Sequence, residues 1–170
     1  MIISIILTCS IFSCYLCSKD CFLLCWWKRT INKVVTIETS GIVYAACTAI
    51  ELGCVPVVFA KKSKSKVVDE TNCYKTQIKS FTRNSVSEVT IDKRFLSSED
   101  RVLIVDDFLA EGNAAKGLID LCEQGGAKVI GFATVIDKPF QGGRDYLINK
   151  GIKVVSGASI KAFENGKVVF

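Results

Sequence analysis

The stretch RVLIVDDFLAEGNAAKG, residues 101–117, carries the reading of this chain. Val102, Leu103, Ile104 and Val105 form an apolar run short and branched enough for a buried parallel strand. Asp106 and Asp107 come where that strand is expected to end. A turn of mostly small residues, Ala110-Glu111-Gly112-Asn113-Ala114, leads into an expected helix from about Ala115 to Gln124. The order strand, acidic pair, glycine-bearing loop, helix places a ligand at the carboxyl end of a parallel sheet. Loop amides and a helix N-terminus favour an anion there, most naturally a phosphate. The two aspartates can accept from paired sugar hydroxyls or hold a hydrated Mg²⁺. Together these suit a ribose phosphate. Taken alone, the two acids could equally end a strand and cap the helix after it.

Outward from this stretch the pattern is βαβ. Residues 33–37 read as a strand, Glu38-Thr39-Ser40-Gly41 as a turn, 42–52 as a helix stopped by Gly53, and 54–60 as a second strand. The turn offers amides to a phosphate, with Gly41 permitting close approach; its plainer reading is a helix N-cap by Thr39 or Ser40. Lys61 and Lys62 leave the next strand on the same edge, as cations for a diphosphate or as a solvated basic loop. Residues 64–93 are polar, with alternation that predicts an exposed antiparallel hairpin or mobile flap rather than a core element. Tyr74, Ser80, Phe81 and Thr82 in it could reach over a ligand. Downstream, 127–136 is a strand ending in Asp137-Lys138-Pro139-Phe140. Lys138 can donate to a ring carbonyl, and Phe140 can stack on a flat base or simply pack. A short helix over 144–150, a last sheet strand over 152–155 and a small terminal unit turning at Asn165-Gly166 complete the chain.

The length of 170 residues suits one domain with a real core, and the net charge of +5 is modest. Lys61, Lys62, Lys64 and Lys66 are the one dense basic cluster, which a local anionic ligand explains without nucleic acid. The chain has no histidine, which excludes a Ser-His-Asp triad, an HExxH zinc site and a Cys-His nucleophile. Residues 1–27 differ from the rest: they hold five of the nine cysteines (Cys9, Cys14, Cys17, Cys21, Cys25) and both tryptophans. They match neither a signal peptide nor a full membrane span, and the composition breaks at Lys28-Arg29. We therefore divide the chain into an atypical cysteine-rich apolar segment, 1–30, and a domain, 31–170, and expect residues 1–27 to lie outside the native fold. Cys47, Cys54, Cys73 and Cys122 have no ligand spacing and read as thiols of a reducing, cytoplasmic compartment.

Four stretches, TIETSGI at 36–42, PVVFAKKSKS at 56–65, VLIVDDFLAEGNAAKGL at 102–118 and VIDKPFQGGRD at 135–145, resemble the xanthine-specific group of the type I phosphoribosyltransferase family. The resemblance spans about residues 31–170. It implies an α/β fold with a central parallel sheet flanked by helices and a flexible antiparallel flap. It implies transfer of ribose 5-phosphate from phosphoribosyl diphosphate, with Mg²⁺ carried on the sugar diphosphate, to xanthine or another 6-oxopurine. It further implies a homodimer; with the modest charge and the short first apolar run, we expect a cytoplasmic protein without nucleic-acid or membrane partners. By the same resemblance Ala110, Glu111, Gly112, Asn113 and Ala114 cradle the 5-phosphate, and Asp106 and Asp107 hold the ribose hydroxyls and favour a positive sugar centre. Glu38, Thr39, Ser40 and Gly41, with Lys61 or Lys62, take the diphosphate; Lys138 and Phe140 meet the purine. Glu111 and Ala114 depart from the hydroxyl-bearing loop of the wider family, so Glu111 must point outward for a phosphate to sit there. Residues 1–27 do not resemble the purine-contacting hood that precedes the sheet in relatives. The competing readings are a non-catalytic transcriptional regulator that senses phosphoribosyl diphosphate and binds nucleic acid, opposed by the lack of a basic helix-turn-helix pattern before Ile31, and a generic sugar-phosphate or dinucleotide binder. The absence of a GxGxxG turn opposes the second.

Overall fold

The computed structural model describes residues 27–62, 72–79, 86–164 and 166–170. Cys17, Cys21, Cys25, Lys64, Lys66, Ser80, Phe81, Thr82 and Asn165 lie outside them. The strands are β1 (Lys33–Ile37), β2 (Val57–Lys62), β3 (Cys73–Lys79), β4 (Val86–Asp92), β5 (Arg101–Leu109), β6 (Lys128–Asp137), β7 (Lys153–Ser159), β8 (Ala162–Glu164) and β9 (Lys167–Val169). The helices are α1 (Gly41–Glu51), α2 (Asn113–Gln124) and α3 (Gly143–Asn149).

Seven strands form one sheet in the order β3-β4-β2-β1-β5-β6-β7, and β8 and β9 pair separately as a small antiparallel ribbon. Within the sheet β2, β1, β5, β6 and β7 run parallel, while β4 joins β2 and β3 antiparallel. The chain starts at β1, moves outward to β2, then returns to the other side of β1 to lay down β5. At such a reversal the loops after the two central strands part in opposite directions and leave a crevice at their carboxyl ends. The strand is continuous across Val102, Leu103, Ile104 and Val105, all fully buried, because both faces of the sheet are covered.

The reversal also splits the core in two, since right-handed crossovers on either side of it put helices on opposite faces. Ala45, Ala49 and Leu52 of α1 and its end pack with Val34, Leu103 and Val105 on one face. Leu118, Ile119 and Cys122 of α2 and Leu147 of α3 pack with Val35, Ile104 and Phe132 on the other. Trp27, grouped by composition with the atypical first segment, is 1% exposed and belongs to the α1 face. Its ring fills the space beside Gly131, where an added Cβ would lie 2.7 Å from Trp27 Cζ2.

The β3–β4 hairpin is antiparallel as expected, but it is not merely an exposed flap. It extends the main sheet, and Ile78, Val89 and Ile91 are buried in the α2-side core. The reason is spacing: Ile78 on β3, and Val89 and Ile91 two residues apart on β4, turn to the same face. The strand expected over 54–60 is displaced to Val57–Lys62, so Lys61 and Lys62 lie within it, opposite Thr90 and Val89.

Candidate active site

The acidic pair does not end its strand. β5 runs on through Asp106 and Asp107 to Leu109, which is buried and pairs with Asp137 of β6. Burial of Leu109 and a bond from the Lys138 amide to the Leu109 carbonyl (2.8 Å) hold the extra residues in the ladder. Asp106 is only 4% exposed, and its Oδ1 accepts from the Asp107 amide at 2.9 Å. Burial, then the neighbouring charge of Asp107, pushes the Asp106 carboxyl well above the ordinary carboxylate range; the charge of Lys62 pulls weakly the other way. Asp107 is half-buried.

The turn after β1 meets Asp106 directly. A Cβ on Gly41 would lie 2.3 Å from Thr36 Oγ1 and 3.2 Å from Asp106 Oδ1, so only glycine lets α1 begin this close to the acid. The Glu38–Thr39 peptide is cis. The Glu38 amide donates to the Ala60 carbonyl (3.1 Å), and its carboxylate accepts from the Lys62 amide (2.7 Å). Glu38 thus ties the turn to β2. Ser40 occupies the N-cap position of α1 but makes no side-chain cap bond, so the N-cap reading of Thr39 or Ser40 is not realised as a hydrogen bond. Thr39 and Ser40 are exposed with Gly41 buried behind them.

The two lysines separate. Alternation along β2 sends neighbouring side chains to opposite faces. Lys62 is the one whose charge is felt at Asp106, whereas the Lys61 ammonium lies 5.9 Å from the Phe59 ring centroid.

After β5 the loop is shorter than expected, because α2 already begins at Asn113. Gly112, with φ +76°, sits in the left-handed region and turns the chain into the helix. The Lys116 amide makes the first helical bond, to the Gly112 carbonyl at 2.8 Å. The amides of Asn113, Ala114 and Ala115 therefore have no acceptor within the helix, an anion-binding arrangement. Glu111 is exposed, and its carboxylate accepts from Asn113 Nδ2 at 3.0 Å, while Lys116 Nζ reaches the Glu111 carbonyl at 3.1 Å. The loop is backed by the start of α3: the Gly143 amide donates to the Ala110 carbonyl (3.0 Å), and a Cβ on Gly143 would lie 2.4 Å from that oxygen.

At the far end, the ammonium of half-buried Lys138 lies 4.9 Å from the Phe108 ring centroid and 5.4 Å from that of Phe163. Phe140 is exposed and meets Phe163 edge to face, with centroids 6.2 Å apart. Beneath, Asp137 is wholly buried and ion-paired with Arg144, whose Nη1 also lies 3.4 Å from Ser156 Oγ. Sequence reasoning passed over Phe108, Phe163, Asp137, Arg144 and Gly143 as site residues. Phe108, Asp137, Gly143 and Arg144 sat in the quoted motifs. Phe163 gave no local signal, since only tertiary contact brings the terminal ribbon to Lys138.

These loops, amides and acids at a topological switch point define a class that binds a sugar phosphate and diphosphate. A model of the phosphoribosyl transferase domain matches residues 18–166, and the chain belongs to that family. Within it the chain is 54% identical over 140 residues to a xanthine phosphoribosyltransferase of Streptococcus agalactiae, covering 82% of this chain and 72% of the relative. It is 47% identical over 143 residues to one of Clostridium novyi, covering 84% and 74%. Among solved structures it resembles the adenine phosphoribosyltransferase of Giardia lamblia complexed with 9-deazaadenine (TM-score 0.71, 26% identity, 82% of this chain and 76% of that one). The adenine phosphoribosyltransferase of Thermoanaerobacter pseudethanolicus shares the fold, with a TM-score of 0.66 at 23% identity and coverage of 83% of each chain. The relatives named here are transferases, and nothing in the site speaks for the regulator.

Proposed function

We propose that the chain transfers the 5-phosphoribosyl group from phosphoribosyl diphosphate to xanthine, giving XMP and diphosphate in purine salvage. The observation that carries this is the meeting of Asp106, the Gly41 turn and the Asn113 helix start at one switch point, in a chain about half identical to xanthine phosphoribosyltransferases. The amides of residues 111–115 bind the 5-phosphate, and the outward Glu111 leaves them open to it. Asp106 and Asp107 accept from the ribose hydroxyls. The Thr39–Gly41 turn and Lys62 hold the diphosphate; Lys61, turned towards Phe59, has the smaller share. Lys138 donates to the purine 6-oxygen, with Phe108 and Phe140 against the ring.

The purine nitrogen attacks C1′ as the bond from C1′ to the diphosphate oxygen breaks. Diphosphate leaves with the electron pair, and the purine proton passes to water. Positive charge grows on the sugar in that transition state, beside the two carboxylates, and this together with positioning is the catalysis. The half-buried Asp107 beside a diphosphate-bearing substrate suits a hydrated Mg²⁺ held mainly by phosphate oxygens. Bound with the substrate beside Asp107, that ion would supply positive charge to offset the leaving diphosphate.

We also read the enzyme as a cytoplasmic homodimer. Support for the compartment is the free thiols Cys47, Cys54 and Cys122; support for the dimer is the family resemblance. No helix among the described residues is long and apolar enough to cross a membrane. The test is release of diphosphate from phosphoribosyl diphosphate and Mg²⁺ with xanthine, guanine, hypoxanthine and adenine in parallel. Turnover is expected with xanthine, and loss of at least about a hundredfold in the Asp106→Asn, Asp107→Asn double variant. Binding of phosphoribosyl diphosphate without turnover of any purine would overturn the reading.

A further inference from the structure

We propose that Phe163, on the terminal β8–β9 ribbon, is a positioning residue for purine selection, holding the Lys138 ammonium at the edge of the base. This rests on the transferase reading above and extends it to a part of the chain that reading does not use.

Lys138 carries a compact charge on a flexible four-carbon stem, so a specific hydrogen bond from it requires something to fix the ammonium. Among the described residues no carboxylate pairs with it. Two ring faces do the work instead: Phe108 from β5 and Phe163 from β8, at 4.9 and 5.4 Å. An aromatic face attracts the cation without supplying a lone pair, so the ammonium keeps donors for a ligand oxygen. A carboxylate in the same place would consume them. Phe163 is itself oriented by the edge-to-face contact with Phe140, at 89° between ring planes. It is nonetheless 56% exposed. The ribbon is attached to the sheet close by: the Ile160 amide donates to the Asp137 carbonyl at 2.9 Å, one residue before Lys138.

A fixed donor at this point favours a purine with oxygen at C6 and opposes one with an amino group, which would set donor against donor. Loss of the Phe163 ring frees the ammonium. Phe163→Leu is therefore expected to raise the KM for xanthine about tenfold and to lower the preference for xanthine over adenine by a similar factor. The KM for phosphoribosyl diphosphate should stay within about twofold, and Phe163→Tyr, which keeps the ring, should restore the xanthine KM. A ribbon acting only as structural support would move both KM values or neither, and would respond to Leu and Tyr alike.

A second readout does not depend on turnover. In protein labelled with ¹³C-lysine, with the Lys138 signal assigned by Lys138→Arg, the Lys138 side-chain protons should lie upfield through the ring currents. Phe163→Leu should remove part of that shift. A missing shift in the unaltered protein overturns the proposal, as does a shift lost without change in the xanthine KM. If the shift is present and no purine turns over, the transferase reading fails and xanthine binding decides this one. Perturbation of the Lys138 signal by xanthine in the unaltered protein but not in Phe163→Leu supports it, and no perturbation overturns it.

Discussion

Asp106 and Asp107 are adjacent in the chain and do different things. Asp106 is walled in by Gly41 and the ladder of β5 with β6, and its proton is hard to remove; Asp107 is half-buried. Asp106 is therefore placed to share a proton or a hydroxyl hydrogen bond with the sugar, beside the more open Asp107. The stability consequence follows from the sign of the shift. A carboxyl raised on folding binds more protons in the native than in the unfolded state between the ordinary carboxylate value and its own raised value. Stability from Asp106 is thus whole in acid and is lost as pH rises through that window, at most about 1.4 kcal/mol per pH unit. Asp106→Asn keeps an acceptor for the Asp107 amide and removes the titration. It should have a higher Tm than the unaltered protein at neutral pH, with an advantage that shrinks towards pH 4 in thermal melts, while turnover falls. An advantage that is constant with pH would contradict the burial assigned to Asp106.

At the scale of elements, the site depends on backbone surfaces that fit without side chains between them. The phosphate loop closes on the first turn of α3 through the bond from the Gly143 amide to the Ala110 carbonyl, and Gly112 lies against Gly143 Cα. The obstacle to a Cβ at position 143 is backbone, which cannot swing away as a flexible side chain would. Gly143→Ala should therefore cost about 1–3 kcal/mol in urea unfolding and raise the KM for phosphoribosyl diphosphate more than that for xanthine. Gly142→Ala, at φ +83° with open space around it, should show backbone strain but no selective KM effect. The α/β fold and the strand-loop-helix unit were legible in the sequence because an apolar run, two acids and a glycine lie in one short window. Residues 33–37 were placed without error because Val34, Val35, Thr36 and Ile37 form a short β-branched run. The pairing of Gly143 with Ala110, and of Phe163 with Lys138, was not legible. Each joins segments whose proximity is set by sheet order, and a lone glycine or phenylalanine has no periodic signature.

For the whole molecule, the crevice exists because the sheet reverses its winding between β1 and β5, and the reversal demands cover on both faces. α2 and α3 supply it on one face. On the other, α1 covers β1 and its neighbours, and Trp27 covers β6 at Gly131. Composition alone placed Trp27 on the far side of the break at Lys28-Arg29, since a cysteine-rich apolar run looks foreign whatever its last residue does. Burial is decided by the partner surface, and the missing side chain of Gly131 lets the indole come this close to the strand. Arg101 fastens the residues that follow, its Nε donating to the Thr30 carbonyl at 2.5 Å. Trp27→Ala should therefore destabilise the protein by about 3–5 kcal/mol in urea unfolding, as loss of a large core ring does. Trp27→Phe should lose much less, because the indole Nε1 has no hydrogen-bond partner among the described residues to forfeit. Since β6 carries Asp137 and leads into Lys138, the alanine variant should also weaken xanthine binding before it weakens binding of phosphoribosyl diphosphate. If Trp27→Ala instead unfolds within about 1 kcal/mol of the unaltered protein, the α1 face closes without the indole.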